Sequence, residues 1–246
     1  MSKSPISSGQ IQETMTRLNY FSGWGKEGLA RLAANSRQAF LPKKSKLVVK
    51  GEVIGALHVV ISGQVRLYIP LSNGSERVVS LVNKGESFGE PCLLHSEPCP
   101  YEAVAGKDSH VLLIDALVFR RELRESPELM ERTLSLLAGR LLSTLRDVEI
   151  CAQPTSLQKV AHFLIQLKPS PPVGGEIHAL EIHLPALKRD IAAKLGLSQE
   201  TFSRMLTFLA QQGFIRLTGK RIHVDDWGRL QGLAASGCPM EAVAKN

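Results

Sequence analysis

The sequence predicts an α+β fold in which an N-terminal antiparallel β-roll is followed by a long dimerisation helix and a C-terminal winged helix-turn-helix. Three observations predict it. Short β-branched runs alternate with glycines over residues 40–117, apolar residues recur at helical spacing over 130–148, and a helix–glycine–helix pattern precedes a short hairpin after residue 185. We place the β-roll effector domain at residues 1–125, the dimerisation helix at 126–152 and the winged helix-turn-helix domain at 153–246.

Length and composition agree with two modest globular domains. The chain has 246 residues, of which 43% are hydrophobic and 22% are charged, as in ordinary globular proteins. No run of about 18 apolar residues could span a bilayer, and the N-terminus lacks the apolar core of a signal peptide. We therefore expect a cytoplasmic protein without a membrane partner.

The cysteines predict reduced thiols. Cys92, Cys99, Cys151 and Cys238 are widely scattered and form no C-x-x-C pair. Neither a disulfide framework nor a zinc ribbon is therefore indicated.

The positive charge is concentrated near the C-terminus. The formal net charge is +7, and between residues 185 and 221 seven basic residues face only two acidic ones. The basic residues are Lys188, Arg189, Lys194, Arg204, Arg216, Lys220 and Arg221. Such a cluster suits a polyanion, although charge alone fits a solvated surface equally well.

The first domain is predicted to be all-β at its centre. The strand-like runs cover residues 47–50, 57–61, 65–69, 78–82 and 111–114, and glycines and a Ser-Asn-Gly turn separate them. Helical segments at 11–18 and 26–34 are expected to cover this sheet structure.

A long helix is predicted from Ser126, which has the N-cap chemistry, with Pro127 and Glu128 in the first turn. Its apolar positions follow spacings of 4, 3, 4, 4 and 3 residues, close to a heptad seam. They are Met130, Leu134, Leu137, Leu141, Leu145 and Val148. We interpret this helix as a dimer interface; the alternative is a helix packed only on its own domain. Pro154 marks a hinge after it.

A helix-turn-helix is predicted after a helix at 156–167, a loop at 169–175 and a β segment at 177–184. The first helix carries Leu187, Ile191, Ala192 and Leu195 on its buried face, Gly196 permits the turn, and Ser198 caps the second helix. The second helix buries Phe202, Met205, Leu206 and Leu209. A hairpin of residues 214–217 and 222–224, joined through 218–220, forms the wing.

The outward side of the second helix has the chemistry to read DNA. Arginine can donate twice to guanine and a carboxylate can accept from cytosine, as Arg204 and Glu200 would. The base-reading candidates are Gln199, Glu200, Ser203 and Arg204, and the phosphate-contacting candidates are Lys188, Arg189, Thr201, Lys220 and Arg221. The alternative is a three-helix protein-interaction domain.

Three stretches make the chain resemble the Crp/Fnr family of regulators. They are V-V-I-S-G-Q-V-R-L-Y at 59–68, G-E-S-F-G-E at 85–90 and L-G-L-S-Q-E-T-F-S-R at 195–204, and the similarity extends from about Phe21 to Leu233. The resemblance implies a homodimer whose effector site controls its grip on double-stranded DNA and which contacts RNA polymerase. The E-T-F-S-R run is similar to recognition helices of the Fnr/Dnr type, which implies an inverted repeat of TTGAT-like half-sites.

The range of candidate effectors is narrowed by residues that the sequence lacks. Nucleotide-binding members of the family have an Arg-Ser pair where this chain has Pro100-Tyr101, and no arginine lies between Arg77 and Arg120, which disfavours cyclic AMP. No cysteine precedes Cys92, which disfavours the iron–sulfur cluster of the oxygen-sensing members. Heme and a gas signal remain as candidates by resemblance, beside a small molecule or a redox signal.

Six residues form the candidate effector pocket: Gly89, Glu90, Cys92, His95, Cys99 and Tyr101. Thiolate and imidazole both ligate heme iron, but the Cys-x-x-His-x-x-x-Cys spacing fits no standard site, so the identity of any metal stays open. His95 is alternatively a polar surface residue flanked by loop residues, and Glu90 a structural residue that binds loop amides. His58 is expected to be a strand residue, with a weaker case for ligation.

Two other classes of function agree less well with the sequence. An enzyme is not expected, because the chain contains no P-loop, G-x-S-x-G, H-E-x-x-H or dinucleotide fingerprint. A β-roll ligand-binding or protein-interaction protein without sequence-specific DNA binding would explain residues 40–117 but leave the recognition helix and its basic wing unexplained.

Overall fold

The computed structural model describes residues 7–167, 180–219 and 221–236. The chain divides into two compact units, Met1–Leu141 and Leu142–Asn246, so that the division falls inside the long helix. The predicted loop at 169–175, the first part of the predicted β segment at 177–184 and Lys220 lie outside the described residues. No helix in the described ranges is long and apolar enough to cross a membrane.

The first unit contains eight described strands and the helices that cover them. Its elements are α1 (Ser8–Thr16), a 3-10 turn (Asn19–Phe21), α2 (Lys26–Ala34), β1 (Ser36–Leu41), β2 (Lys46–Val48), β3 (Ala56–Ser62), β4 (Gln64–Pro70), β5 (Glu76–Asn83), β6 (Ser87–Phe88), α3 (Glu90–His95), β7 (Glu102–Ala105), β8 (Ser109–Asp115), α4 (Ala116–Glu125) and the first part of α5 (Pro127–Ala152).

The strands form two four-stranded antiparallel sheets, in the orders β1-β8-β3-β6 and β2-β7-β4-β5. Side chains of the two sheets share one core, which makes the unit a β-roll. Because successive strand residues point to opposite faces, Val111 and Leu113 of β8 enter this core. Leu112 and Ile114 of the same strand face a second core, formed with α1, α2 and α4.

The predicted α+β class and its order of parts are confirmed. Each of the five predicted strands overlaps an observed one, and the long helix begins at Pro127, where the Ser126 hydroxyl accepts from the Leu129 amide at 3.4 Å. The prediction lacked β1, β6, β7, α3 and α4. Strand β6 and helix α3 are short, and strands β1 and β7 carry the charged residues Arg37 and Glu102, so the apolar pattern of these four elements is weak.

The second unit continues α5 and adds a compact helical domain with a small sheet. Its elements are α6 (Ser156–Gln166), β9 (Leu180–His183), α7 (Lys188–Leu195), α8 (Gln199–Gln211), β10 (Ile215–Thr218), β11 (Arg221–Val224) and α9 (Trp227–Ser236). Strands β10, β11 and β9 pair antiparallel in that order. Phe202 of α8 packs edge-on against Phe163 of α6, with ring centroids 6.3 Å apart. Helix α9 had not been predicted.

Candidate nucleic-acid interface and effector site

The helix-turn-helix geometry is built by local signals. Gly196 ends α7 with φ of +69°, a conformation that glycine adopts without steric cost. The Ser198 hydroxyl then caps α8 by accepting from the Thr201 amide at 3.1 Å. Ile191, Leu195, Phe202, Leu206 and Leu209 are buried as predicted, and Met205 is half-buried.

One predicted core residue is placed differently. Leu187 was expected on the buried face of the first helix, but it occupies the N-cap position of α7 and its exposure is 45%. The reason is that α7 begins one residue later, at Lys188, so the apolar stripe starts at Ile191.

The outer side of α8 is open at its N-terminal end. Gln199, Glu200 and Arg204 are exposed, and Thr201 and Ser203 are half-buried. Hydrogen bonds from its own backbone amide and from Ser198 hold the pKa of Glu200 below its usual value. Glu200 is therefore a carboxylate, which can accept a hydrogen bond from a base but cannot donate one.

The basic cluster divides into neutralised and available charges. Lys194 is 3.0 Å from Asp147 of α5, and Arg216 is bound to Asp225 at 2.8 Å. Among the phosphate candidates, Arg189 and Arg221 are exposed and only 3.6 Å contacts link them to Asp190 and Glu181; Lys188 is half-buried. The basic residues in this stretch therefore contribute unequally to the positive charge of the surface.

Glu90 lies at the centre of a buried polar cluster in the first unit. Its side chain is fully buried, one oxygen accepts from the Ser87 hydroxyl, and the other accepts from Arg140 Nη1 at 2.8 Å. Arg140 Nη2 also donates to the Ser87 carbonyl at 2.6 Å. The interpretation of Glu90 as a residue that binds loop amides was wrong about its partners, which are a hydroxyl and a guanidinium.

Sequence reasoning missed Arg140 because it lies fifty residues after Glu90, on a different element. The one available signal was its place beside Leu141 in an otherwise apolar stretch of the long helix. Tyr20 joins the same cluster from the 3-10 turn. Burial and the Glu90 charge raise the pKa of this tyrosine well above its ordinary value.

The other effector candidates separate into a buried group and an exposed group. Cys92, Cys99 and Tyr101 lie together in the β-roll core. Burial and the neighbouring Cys99 raise the pKa of Cys92 to about 11, and burial raises that of Tyr101, so these groups stay protonated. A buried thiol with a raised pKa, such as that of Cys92, is a poor nucleophile and a poor ligand.

His95 is exposed at the end of α3, and it lines an apolar surface pocket of about 670 Å³ with Pro91, Leu94 and Pro98. The expectation that it is flanked by loop residues was wrong on its N-terminal side, because α3 includes Cys92 and His95. Gly89 precedes this helix with φ of +104°.

Within the described residues no group of three His, Cys, Asp or Glu side chains could hold a metal ion. His58 is a buried strand residue of β3, as expected.

The predicted seam of α5 is mostly exposed within the single chain. Leu134, Leu141, Leu145 and Val148 have exposures of 55–61%, and the neighbouring Leu142 is similar. Leu137 is half-buried, and Met130 packs against the second core of the first unit. An apolar stripe this open is unusual for a surface that meets only water.

Comparison with known proteins identifies both units. Residues 38–126 match the cyclic nucleotide-binding domain, and residues 158–233 match the Crp-like helix-turn-helix domain. A CRP-like cAMP-activated global transcriptional regulator of Mycobacterium tuberculosis is 26% identical over 222 residues, covering 89% of this chain and 98% of the relative. The nitrogen fixation regulation protein FixK of Azorhizobium caulinodans is 26% identical over 190 residues, covering 77% and 75%.

Solved structures of regulators have a similar fold. FixK2 from Bradyrhizobium japonicum superimposes with a TM-score of 0.65 at 26% identity, over 82% of this chain and 99% of its own. A CooA mutant from Carboxydothermus hydrogenoformans has a TM-score of 0.69 at 19% identity, covers 82% and 88%, and shows the common fold. The chain therefore has a cyclic nucleotide-binding domain followed by a Crp-like helix-turn-helix domain, and the relatives that it matches are transcription regulators. These findings support a transcription regulator of the Crp/Fnr family, not an enzyme.

Proposed function

We propose that this regulator acts as a homodimer in the cytoplasm, binds an inverted repeat of TTGAT-like half-sites through α8, and contacts RNA polymerase there. The observation that carries the proposal is the open, capped N-terminal end of α8, which presents Gln199, Glu200 and Arg204. It is a recognition helix of the Fnr/Dnr type. In this proposal α8 lies in the major groove, and each subunit of the dimer meets one half-site.

Base and phosphate contacts have separate roles. Arg204 would donate two hydrogen bonds to guanine, and Glu200 would accept from the amino group of cytosine, with Gln199 and Ser203 beside them. Thr201, Lys188, Arg189, Arg221 and Lys220 would bind phosphates and set the register without reading sequence.

Dimerisation would use the exposed seam of α5. Four predicted positions, Leu134, Leu141, Leu145 and Val148, are exposed in the single chain, and the heptad-like spacing lets two such helices pack side by side. The two-fold symmetry of such a pair matches the symmetry of an inverted repeat.

The test of DNA recognition is a binding titration by fluorescence anisotropy. A duplex with a TTGAT-like inverted repeat is compared with the same duplex after the half-sites are scrambled. Arg204→Ala and Glu200→Ala should each remove most of the preference, because a good base contact discriminates by about 1–3 kcal/mol. Arg17→Ala, which removes the arginine at the C-terminal end of α1 that pairs with Glu13, is the matched control and should keep the preference. Unchanged preference in both α8 variants would refute the assignment.

For the effector, we propose a small molecule, gas or redox signal acting on the Gly89–Tyr101 region, with heme as one candidate cofactor. The residues fit heme only at His95, whose exposed imidazole borders an apolar pocket. Heme bound there would supply iron that binds carbon monoxide or nitric oxide. Cys92 and Cys99 are both buried, and the raised pKa of Cys92 keeps that thiol protonated, so the pair does not favour ligation. An iron–sulfur cluster is not proposed.

Cyclic AMP is not proposed, although several relatives are named as cAMP-activated. The loop that would hold a cyclic phosphate offers Pro100-Tyr101, and the guanidinium of Arg140 is already bound to the Glu90 carboxylate.

The experiment that tests heme binding offers heme, with and without carbon monoxide or nitric oxide, to anaerobically purified protein and records the absorption spectrum. A stoichiometric Soret band that is lost in His95→Ala supports heme. A colourless protein would exclude it and leave a small molecule or thiol chemistry.

A further inference from the structure

A second cavity of about 570 Å³ lies in the first unit and shares no lining residue with the pocket beside His95. It opens between the start of β1, β2, residues 52–55 before β3, and the end of β8. Val48, Ile54 and Leu113 supply apolar lining. The volume falls within the range of about 300–1,000 Å³ that is typical of small-molecule sites.

His58 borders this cavity, and one nitrogen of its ring lacks a hydrogen-bond partner among the described residues. The residue is only 4% exposed, and its ring stacks on Phe88 with centroids 4.6 Å apart. Its Nδ1 is sealed from solvent and has no hydrogen-bond partner in the described part of the chain. Burial, helped by the Arg37 charge, lowers the pKa of His58 to about 4, so the imidazole is neutral at pH 7. A buried polar atom without a partner is rare in proteins and calls for an explanation.

Charged groups of both signs surround the same cavity. Arg37 is exposed and forms no ion pair with any described residue. Glu52 uses one carboxylate oxygen to accept from the Val49 amide at 2.9 Å, and Asp115 uses one to cap α4. Each carboxylate therefore has a second oxygen to offer a ligand.

We propose that this cavity binds a free α-amino acid with an apolar side chain. Glu52 and Asp115 receive its ammonium group, Arg37 receives its carboxylate, and the apolar lining receives its side chain. The neutral imidazole of His58 offers Nε2 as the inner polar group of the site, because its Nδ1 is sealed from solvent. An anion without an ammonium group would meet two carboxylates and only one cation, which disfavours phosphates and simple acids.

The cavity is connected to the effector region by direct packing. A Cβ atom added at Gly89 would lie 2.8 Å from Ile54 Cδ1 and 3.6 Å from His58 Nδ1. Gly89 thus lies against two cavity residues and immediately precedes Glu90. A ligand that shifts Ile54 or His58 therefore moves the backbone at the start of α3.

The test is isothermal titration calorimetry of the full chain with L-leucine and two analogues that each lack one charge. Isopentylamine has no carboxylate and 4-methylpentanoate has no ammonium group. We expect saturable leucine binding, at least tenfold weaker binding of the amine, and none of the acid. Absence of leucine binding at millimolar concentration, or equal binding of either analogue, would overturn the proposal.

Two variants localise the binding. Glu52→Gln keeps an exposed side chain of the same shape, and His58→Phe keeps the stacked ring while removing both nitrogens. Each should weaken leucine binding at least tenfold, whereas the control Glu27→Gln, on α2, should not change it. Equal affinity in all three variants would place the site elsewhere and overturn the assignment. The outcome is independent of the DNA titration described above, which needs no ligand in this cavity.

Discussion

At the residue scale, the structure separates buried polar groups that have hydrogen-bond or ion-pair partners from those that have none. The Glu90–Arg140 pair shows the first situation. A fully buried carboxylate is stable only because a hydroxyl and a guanidinium bind both of its oxygens. Removing one partner leaves a charge that water cannot reach, which is more costly than losing an exposed ion pair.

We expect Arg140→Ala to lower the free energy of unfolding by about 3 kcal/mol, because Glu90 is left without its counter-charge. The measurement is urea denaturation. Arg17→Ala breaks the exposed pair with Glu13 and should cost less than about 1 kcal/mol. Adding Glu90→Gln to Arg140→Ala should recover part of the loss. Equal costs for the two arginine variants would show that the buried pair does not stabilise the unit.

His58 shows the second situation, and it predicts a pH dependence. The pKa of His58 is about 4 in the folded chain, against the ordinary histidine value of 6.5 in the unfolded chain. Between these values the unfolded chain binds a proton that the folded chain does not, so stability is lost as the pH falls from about 7 to 4. The charged groups that line the same cavity, Arg37, Glu52 and Asp115, are present whether or not residue 58 is a histidine.

Compared with His58→Phe, the wild-type protein should therefore lose about 2–3 kcal/mol more stability between pH 7 and pH 4. Urea denaturation of both proteins across that range measures the difference, and the carboxylates they share cancel. Parallel pH profiles would mean that the imidazole is not buried in its neutral form.

Single residues with local roles were predictable from sequence, and residues with distant partners were not. Ser126, Ser198 and Gly196 act on amides or turns within a few positions, so the sequence shows their function directly. Arg140 and Glu90 acquire theirs only when the chain folds. Leu187 was misplaced by one residue of helix boundary, the least certain feature of any pattern-based assignment.

At the element scale, the strength of the apolar pattern decided what could be predicted. Strand β4 and helix α5 have clear periodicity and were found. Strand β7 has Glu102 at its start, where the carboxylate is satisfied by Lys46 at 2.8 Å and by the Tyr68 hydroxyl. Cross-strand partners of this kind compensate a weak local preference, and no local pattern contains that information.

Helix α5 carries the prediction at this scale. Leu141→Glu together with Leu145→Glu should convert dimers to monomers in sedimentation velocity, because four charges would be buried in the seam between two helices. Both side chains are exposed in the single chain, so the variant should fold. The control is Ser143→Glu, at an exposed position between them. A dimer that survives the double substitution would exclude this seam as the interface.

At the scale of the whole molecule, the net charge of +7 matters only where it is not neutralised internally. Asp147 and Asp225 bind Lys194 and Arg216, whereas Arg189 and Arg221 remain exposed with only long contacts to acidic residues. The position of these residues was evident from the sequence. Which of them are available to a phosphate depends on the ion pairs of the folded unit.

The salt dependence of DNA binding tests this distinction in the assembled dimer. Each phosphate contact contributes about 0.9 to the slope of log affinity against log salt concentration, and a symmetric dimer doubles every contact. Arg189→Ala should therefore reduce the slope by about 2 and weaken binding to specific and scrambled duplexes alike. Arg216→Ala, which removes a charge already bound to Asp225 at 2.8 Å, should leave the slope unchanged. If Arg216→Ala reduced the slope as much as Arg189→Ala, the net charge of the domain would determine the salt dependence. The ion pairs within the domain would then not decide which residues contact DNA.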